Sequence, residues 1–362
     1  MKNSAPSQVY ILAEAGVNHN GNIDTALKLI DAAVAAGVDG VKFQTFNVAQ
    51  LVAATAKKAS YQKDAGKAGE TQGEMLEKLV LSQSDHHRLK DHCKEQNIDF
   101  LSTPFDCDSL NFLTNNLGLT NIKLSSGAIT HGPLLLAAGQ SGANIILSTG
   151  LSNLGEVEQA LMVLAYGLIN RIEPPSQNGF SQAYATDEGQ KALQDKVTLL
   201  HCTTQYPAPM RDINLLAMDI LHKAFALNVG FSDHSLGISA PLAAVARGAK
   251  VIEKHFTLDK TMAGPDHKAS LSVDELQNMV RGIREVELAL GVAKKFSTNS
   301  ENENRNVVRS SLTALKDIAK GTVFSEENLG VKRPGNGISP IYYWSWLGQR
   351  ASRDFAKDEA IE

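Results

Sequence analysis

Val229-Gly-Phe-Ser-Asp-His234 and Val251-Ile-Glu-Lys-His255 are two apolar stretches that each read as a strand ending at a histidine. Residues 238–248 between them are mostly small and apolar, and they predict a helix. A strand, a helix and a second strand in this order predict a parallel pair whose carboxyl ends share one edge of a sheet. Because that edge carries the chemistry in parallel α/β proteins, we expect the two imidazoles to lie together at a functional site.

The same alternation of strand and helix recurs along most of the chain. Eight such units over about 290 residues predict a closed (β/α)8 TIM barrel. A doubly wound open sheet is the alternative, but its usual glycine-rich first turn is not matched by Glu14-Ala-Gly-Val-Asn18. The predicted strands are residues 9–13, 38–43, 99–102, 122–125, 144–148, 197–201, 229–234 and 251–255, and the main predicted helices are 23–36, 106–117, 155–168, 215–225, 238–248 and 273–290.

The remaining segments differ from the barrel in composition. Residues 293–306 are polar and low in complexity, and they predict a linker between a barrel domain at 1–292 and a second domain at 307–362. The second domain combines short strands with the turn signal Pro334-Gly-Asn-Gly337, so we expect it to be small and β-rich. Two stretches interrupt the barrel pattern. They are a long polar segment at 47–74 and a predicted surface insertion at 170–195.

Composition excludes several classes of partner for this chain of 362 residues. Its 35 basic and 39 acidic residues give a net charge of −4, which does not favour nucleic acid or a membrane surface. Residues 1–7 lack the apolar run of a signal peptide, and no apolar stretch is long enough to span a bilayer. Cys93, Cys107 and Cys202 show neither a metal-binding spacing nor a disulfide framework, so we predict a cytoplasmic location.

The histidines that end the two strands favour a metal site. Either His234 or His255 alone would more often be a hydrogen-bonded structural residue, but imidazole is the commonest protein metal ligand. With no obvious cysteine or third histidine, such a site leaves positions open for water or substrate, as a catalytic metal requires. Glu253 lies two residues before His255 and therefore on the same side of the strand. It is predicted to support a ligand or to transfer a proton.

Two lysines occur in otherwise apolar strands, where an unpaired ammonium is costly to bury. Lys42 lies in the second predicted strand and Lys123 in the fourth, and together they suggest an anionic ligand. A buried salt bridge with Glu14 and a Schiff-base lysine are the alternatives. Glu14 itself closes the first strand, where a carboxylate can orient or deprotonate a polar substrate.

Hydroxyl side chains follow five of the predicted strands. One such cluster is ordinary turn chemistry, but five around one rim, together with two lysines, predict a phosphate-binding cradle. Glycine in several of them lets the backbone approach an anion closely. The clusters are Ser102-Thr103, Ser125-Ser126-Gly127, Ser148-Thr149-Gly150, Thr203-Thr204 and Ser232.

An ordered set of short motifs resembles the sialic acid synthase family. The resemblance runs from about Ile11 to the C-terminus, and the tail, with Val331-Lys-Arg-Pro-Gly-Asn-Gly337, is similar to that family's antifreeze-protein-like (β-clip) domain. The other motifs are Ala13-Glu-Ala-Gly-Val-Asn-His-Asn-Gly21, Val41-Lys-Phe-Gln44, Leu101-Ser-Thr-Pro-Phe105, Leu147-Ser-Thr-Gly150, His201-Cys-Thr-Thr-Gln-Tyr-Pro207, Phe231-Ser-Asp-His234, Glu253-Lys-His-Phe-Thr257 and Gly264-Pro-Asp266.

The resemblance implies a condensation of phosphoenolpyruvate with open-chain N-acetylmannosamine to give N-acetylneuraminate and phosphate. It implies a divalent cation, Mn²⁺ or Mg²⁺, held by His234 and His255, with Glu14 and Glu253 as catalytic residues. It also implies a domain-swapped homodimer in which Arg333 reaches the barrel of the other subunit. The implied phosphoenolpyruvate ligands are Lys42, Thr103, Lys123, Ser126, Ser148, Thr204 and Ser232, and the implied ligands of the N-acetylated amino sugar are Glu14, Gln44, Tyr206, Asp266 and Arg333.

Three departures from the family pattern leave the acceptor sugar open. Ala128 stands where many members carry an acidic residue that grips the sugar, Thr204 stands where some have asparagine, and the insertion at 170–195 is longer than in compact members. The stretch from His201 to Pro207 favours N-acetylmannosamine. A 2,4-diacetamido sugar, as used for legionaminic or pseudaminic acid, is the alternative. A Schiff-base aldolase and a non-catalytic carbohydrate-binding protein are the competing functions.

Overall fold

The computed structural model describes residues 8–53, 55–56 and 71–362, and the chain divides into two compact units. The first unit ends at Gly291 and the second begins at Val292. The N-terminal residues 1–7 and most of the predicted polar segment, residues 54 and 57–70, lie outside the described residues. Within the described ranges, no helix has both the length and the apolar character needed to cross a lipid bilayer.

Eight parallel strands form the centre of the first unit. They are β1 (Tyr10–Gly16), β2 (Gly40–Thr45), β3 (Asp99–Pro104), β4 (Asn121–Leu124), β5 (Asn144–Ser148), β6 (Val197–Cys202), β7 (Asn228–Asp233) and β8 (Val251–His255). The hydrogen-bonded order is β3-β2-β1-β8-β7-β6-β5-β4, and β3 and β4 lie in contact, so the sheet closes on itself. The predicted barrel is confirmed, and the open-sheet alternative is wrong.

Helices connect these strands and cover the outside of the barrel, which explains why the strands are apolar on both faces. The first of them, residues 23–36, begins at Asn22, whose side chain accepts a hydrogen bond from the Thr25 amide, and ends at Gly37 with φ of 76°. The helices of this unit are α1 (Ile23–Ala36), α2 (Val48–Leu51), α3 (Gln72–Glu77), α4 (Gln83–Glu95), α5 (Cys107–Asn111), α6 (Gly132–Gln140), α7 (Leu154–Leu168), α8 (Gln177–Tyr184), α9 (Asp187–Lys196), α10 (Leu216–Phe225), α11 (Ser239–Ala246) and α12 (Val273–Leu290).

The predicted surface insertion at 170–195 is largely helical, because it contains α8 and nearly all of α9. Phe180 packs edge-on against Tyr166 of α7, with ring centroids 5.1 Å apart. Ala183 and Leu193 are buried, so this segment adds to the barrel's outer layer and is only partly a surface feature.

The second unit is built around a short antiparallel pair, β9 (Ser311–Ala314) and β10 (Leu329–Lys332). Its helices are α13 (Asn299–Val308) and α14 (Tyr343–Trp346). A separate core holds it together, formed by Leu312, Ala314, Ile318, Phe324, Leu329, Ala351, Phe355 and Ile361. The predicted linker at 293–306 is not a plain connector, since most of α13 lies within it and begins at a Thr298–Glu301 capping box.

Candidate active site

A cavity at the carboxyl ends of the barrel strands gathers the predicted site residues. Every barrel residue predicted above to bind or react lines this one cavity. Arg333 belongs to the second unit, directly after β10, and its predicted role in the barrel of another subunit stays a prediction. The predicted residues that line the cavity are Glu14, Lys42, Gln44, Thr103, Lys123, Ser126, Ser148, Thr204, Tyr206, Ser232, His234, Glu253, His255 and Asp266.

Strand register brings the charged residues together. Glu14 on β1 lies opposite Lys42 on β2 and, on its other side, opposite His255 on β8. Ser232 on β7 lies opposite Glu253 on β8. Because residues paired across a parallel ladder point to the same side of the sheet, these side chains meet at one end of the barrel interior.

Two lysines and two carboxylates form a buried cluster at the base of the cavity. Lys42 Nζ lies 2.5 Å from Glu14 Oε2 and 3.7 Å from Glu253 Oε2, and Lys123 Nζ lies 3.5 Å from Glu253 Oε1. Ser232 Oγ donates a 2.7 Å hydrogen bond to Glu253 Oε1. The structure therefore contains the buried Lys42–Glu14 salt bridge that was one of the alternatives for Lys42.

The surroundings give the carboxyl groups opposite protonation tendencies. Burial alone would raise the pKa of Glu253, but the adjacent ammonium groups of Lys123 and Lys42 lower it below its usual range. Burial raises the pKa of Glu14 despite the Lys42 charge. Burial, and then the charge of Glu14, raises the pKa of Asp266 to about 7. The cavity thus holds an ionised carboxylate beside two carboxyl groups that take up protons more readily.

The two histidines lie side by side, with ring centroids 5.6 Å apart. His234 Nδ1 donates a 2.7 Å hydrogen bond to the Thr203 carbonyl, which leaves Nε2 as the ring's acceptor. Tyr206 packs on the His234 ring at 4.2 Å between centroids. Burial lowers the pKa of both imidazoles, so both are neutral, the form that binds a metal ion.

The donor set fits a metal ion only in part. His255 Nδ1 is buried without a hydrogen-bond partner, which is consistent with a ligand atom. Within the described part of the chain, no group of three or more His, Cys, Asp or Glu side chains is placed to hold an ion. The two imidazoles would therefore share any bound ion with substrate or water, as in an open catalytic site.

Hydroxyl groups from several of the predicted clusters line the same cavity, and their binding of phosphate stays a prediction. Thr103 Oγ1 accepts a 3.0 Å bond from Lys42 Nζ, and Ser126 Oγ accepts a 3.0 Å bond from the Gly150 amide. Ser148 Oγ and Thr204 Oγ1 are buried and have no partner among the described residues. Unpaired buried hydroxyls are costly, so these two atoms indicate a polar ligand.

Gly150 is required where the cradle is tightest. A Cβ atom at this position would lie 2.4 Å from Thr204 Oγ1 and 2.8 Å from both Cys202 Sγ and Ser126 Oγ. Any larger residue would have to displace the hydroxyls, so the glycine of Ser148-Thr149-Gly150 allows close packing of the cradle itself.

Sequence reasoning missed one side of the cavity, which we term the apolar wall. Leu51 and Val52 lie at the end of α2, and Met75, Leu76 and Leu79 lie in and just after α3. Leu51 and Val52 lie in the stretch predicted only as a long polar segment at 47–74, and Met75, Leu76 and Leu79 follow it directly. The apolar spacing around Met75 and Leu79 was the available signal.

Comparison with known protein families matches residues 29–295 to the NeuB family and residues 309–362 to the SAF domain. Over 351 residues the chain is 48% identical to the N,N'-diacetyllegionaminic acid synthase of Campylobacter jejuni, covering 97% of this chain and 98% of that protein. Over 347 residues it is 42% identical to the synthase of the same name from Legionella pneumophila, covering 96% and 91%. Among solved structures it is similar to the N-acetylneuraminic acid synthetase of Leptospira borgpetersenii in complex with citrate. That match has 32% identity and a TM-score of 0.65, and covers 82% of this chain and 90% of that one.

Proposed function

Because the chain belongs to the NeuB family, we propose that it condenses phosphoenolpyruvate with a 2,4-diacetamido sugar and water, releasing phosphate. The family predicted from the motifs is confirmed. The two relatives at 48% and 42% identity are both named for diacetyllegionaminic acid, which supports the alternative acceptor over N-acetylmannosamine. Ala128 packs in the hydrophobic core and does not line the cavity, so it offers no carboxylate to the sugar.

One observation carries the proposal: lysines, hydroxyls, carboxylates and neutral imidazoles converge in a single cavity. Phosphoenolpyruvate has a carboxylate and a phosphate, and Lys42, Lys123 and the hydroxyl cradle provide cationic and hydroxyl donors for both. The unpaired hydroxyls of Ser148 and Thr204 gain partners when an anion binds. The carboxyl groups of Glu14 and Asp266 and the amide of Gln44 line the same cavity and are available to bind a polar sugar.

The reaction forms one carbon–carbon bond and one carbon–oxygen bond, the latter to water, and breaks the carbon–oxygen bond to phosphate. Carbon 3 of phosphoenolpyruvate attacks the aldehyde carbon of the open-chain sugar, and the aldehyde oxygen takes a proton. Water adds to the cationic centre at carbon 2 and loses a proton. In the tetrahedral intermediate the bond between carbon 2 and the phosphate oxygen then breaks, the hydroxyl proton passes to the departing phosphate, and a ketone remains. Lys42 and Lys123 stabilise the anionic groups throughout, because their charges are fixed in a buried site before the reaction begins.

The two glutamates suit different steps. Glu14, whose pKa is raised by burial, holds a proton more readily than an exposed glutamate and suits protonation of the aldehyde oxygen. Glu253 is held ionised while Lys123 and Lys42 face it. An anionic substrate that draws those ammonium groups away makes Glu253 more basic and better able to accept a proton from the attacking water.

We propose that His234 and His255 hold a divalent cation, Mn²⁺ or Mg²⁺, with substrate or water completing its coordination. When bound there, the ion would act as a Lewis acid on the sugar's carbonyl oxygen. His234→Ala and His255→Ala should each lose Mn²⁺-dependent activity and weaken Mn²⁺ binding, measured by electron paramagnetic resonance, while keeping the fold. Full activity of the double variant after chelator treatment would overturn this assignment.

We further propose a homodimer in which Arg333 contributes to the sugar site of a second copy of the chain, and a cytoplasmic location. Arg333 directly follows β10, and the strand would hold its side chain at a fixed place for such a role. All three cysteines are free, which agrees with a reducing compartment.

The deciding experiment measures phosphate release from phosphoenolpyruvate with a panel of sugars in the presence of Mn²⁺. We expect a higher kcat/KM with a 2,4-diacetamido sugar than with N-acetylmannosamine. A higher value with N-acetylmannosamine would overturn the proposed acceptor. Borohydride added during turnover separates the Schiff-base alternative, since a covalent adduct at Lys42 or Lys123 would contradict the proposed chemistry.

A further inference from the structure

The cavity is divided by polarity. One side carries the lysines, hydroxyls and histidines from β2 to β8, and the other carries the apolar wall, Leu51, Val52, Met75, Leu76 and Leu79. The wall is continuous with a small satellite core that includes Val17, Phe46 and Leu79. Met75 and Leu79 are buried, whereas Leu51, Val52 and Leu76 are half-buried and line the cavity.

The position of the wall relates it to the sugar and not to phosphoenolpyruvate. The cradle residues lie mainly on β3 to β7, from Thr103 to Ser232. Gln44 and Glu14, joined by a 3.2 Å hydrogen bond, lie at the ends of β2 and β1. The wall packs on Val17 and Phe46, which directly follow β1 and β2, so it lies beside the proposed sugar ligands Glu14 and Gln44.

From this placement we infer that the apolar wall binds the methyl group of the acetamido substituent at sugar carbon 4, and that Val52 and Leu76 are specificity-determining residues. The inference rests on the proposed function. A hydroxyl at the same carbon would face hydrocarbon and lose its water partners. Gln72 lines the same side of the cavity and has both an amide donor and an amide acceptor for the acetamido N–H and C=O.

The test replaces hydrocarbon by polar groups of nearly the same shape. In Val52→Thr a methyl becomes a hydroxyl, and in Leu76→Asn the branched end becomes an amide. Val80→Thr is the matched control, because Val80 is 40% exposed, lies on the same segment and does not line the cavity. For each protein, kcat/KM is measured with the 2,4-diacetamido sugar and with N-acetylmannosamine, together with the KM for phosphoenolpyruvate.

In the double variant, which combines Val52→Thr with Leu76→Asn, we expect kcat/KM for the 2,4-diacetamido sugar relative to that for N-acetylmannosamine to fall about tenfold. This is the usual scale for one methyl group in an apolar pocket. Val52→Thr alone, which is nearly isosteric, should move the ratio in the same direction. Val80→Thr should leave it unchanged. The KM for phosphoenolpyruvate should stay at the wild-type value in all three.

Two results would overturn the inference. The first is an unchanged sugar ratio in both Val52→Thr and the double variant. The second is an equal loss with both sugars, together with a raised KM for phosphoenolpyruvate, because that pattern indicates a general disturbance of the segment. Failure of the proposed function is a separate result, since the wild-type protein would then not prefer the 2,4-diacetamido sugar.

Discussion

Asp266 is a buried carboxyl group whose ionisation opposes folding. Burial and the charge of Glu14 raise its pKa from 3.8 to about 7. The folded chain therefore holds a proton that the unfolded chain releases, and stability falls as pH rises from about 4 to about 7. Asp266→Asn is expected to raise the free energy of unfolding by ~1–3 kcal/mol at pH 8 and to change it little at pH 4.

Urea unfolding at pH 4 and pH 8 measures this difference. Glu14 contributes a change of the same sign, so both proteins must be compared at each pH. An equal effect of the substitution at the two pH values would show that Asp266 ionises in the folded chain as it does in the unfolded one.

Gly150 tests how closely the hydroxyl cradle is packed. In Gly150→Ala the new methyl group meets Thr204 Oγ1 at 2.4 Å and Ser126 Oγ at 2.8 Å, so the hydroxyls must move. We expect at least about a tenfold loss of kcat/KM for phosphoenolpyruvate, since a displacement of about 1 Å at a reacting site can cost a hundredfold. Gly132→Ala is the control, because a Cβ there meets nothing within 4 Å. Steady-state kinetics that give equal values for the two variants would refute the packing argument.

At the residue scale, the sequence exposes those site residues that break an apolar pattern. Lys42, Lys123 and His255 stand out because polar groups in buried strands need a partner or a ligand. The apolar wall has no such contrast, since Leu76 and Val52 resemble any core residue. Their place in the cavity depends on how α2 and α3 pack at the end of the barrel, which no local pattern in the sequence specifies.

Strands β7 and β8 are tied together on the face opposite the cavity. Lys254 Nζ lies 2.5 Å from Asp233 Oδ2, both side chains are fully buried, and Lys254 also donates to the Ser235 carbonyl. Each partner is adjacent in sequence to one of the two histidines. The pair therefore fixes the relative position of the strand ends that carry His234 and His255.

Lys254→Met should lower the free energy of unfolding by about 3–5 kcal/mol, because it leaves the Asp233 charge buried without a partner. Adding Asp233→Leu should restore part of the loss, since a well-packed apolar pair can replace a buried ion pair. Denaturant unfolding gives both values.

The exposed pair Lys191–Asp195 on α9 provides the comparison for this prediction. It has the same 2.5 Å separation, but both side chains are more than half exposed. Lys191→Met should change stability by less than about 0.5 kcal/mol. A small loss in Lys254→Met as well would mean that burial does not strengthen the β7–β8 pair.

At the element scale, the barrel was predicted well because its strands are buried on both faces and appear as short apolar runs, while its helices bury one face each against them. Helix α12 was predicted with its observed limits, Val273–Leu290. Helix α13 was missed because its residues are exposed and polar and show no apolar face, although its Thr298–Glu301 capping box is visible in the sequence. Helices α8 and α9 were obscured by the prolines and polar residues that surround them.

For the whole molecule, the proposed exchange of Arg333 between subunits can be tested by complementation. Arg333→Ala and Lys123→Ala should each be poorly active alone. If Arg333 acts in a second copy of the chain, each mixed dimer has one intact site, so random mixing should restore about a quarter of wild-type activity. Phosphate release after subunit exchange measures the recovery.

A pair of variants confined to the barrel, Lys42→Ala with Lys123→Ala, is the matched control for complementation. In a mixed dimer, each of the two barrels then carries one of the two damaging substitutions, and no recovery is expected. If Arg333 instead served the barrel of its own chain, the Arg333→Ala and Lys123→Ala mixture would also show no recovery.

The buried cluster of Lys42, Lys123, Glu14 and Glu253 has no net formal charge, and the chain as a whole carries −4. Such a protein exerts little long-range attraction on an anion, so we expect the proposed substrate, phosphoenolpyruvate, to be captured by exchange of short-range partners and not by electrostatic steering. The association rate constant should therefore vary less than about threefold between 20 and 200 mM salt, in contrast to the steep dependence of steered encounters. Stopped-flow binding measures that dependence, and a steep fall with salt would place an uncompensated positive field at the cavity mouth.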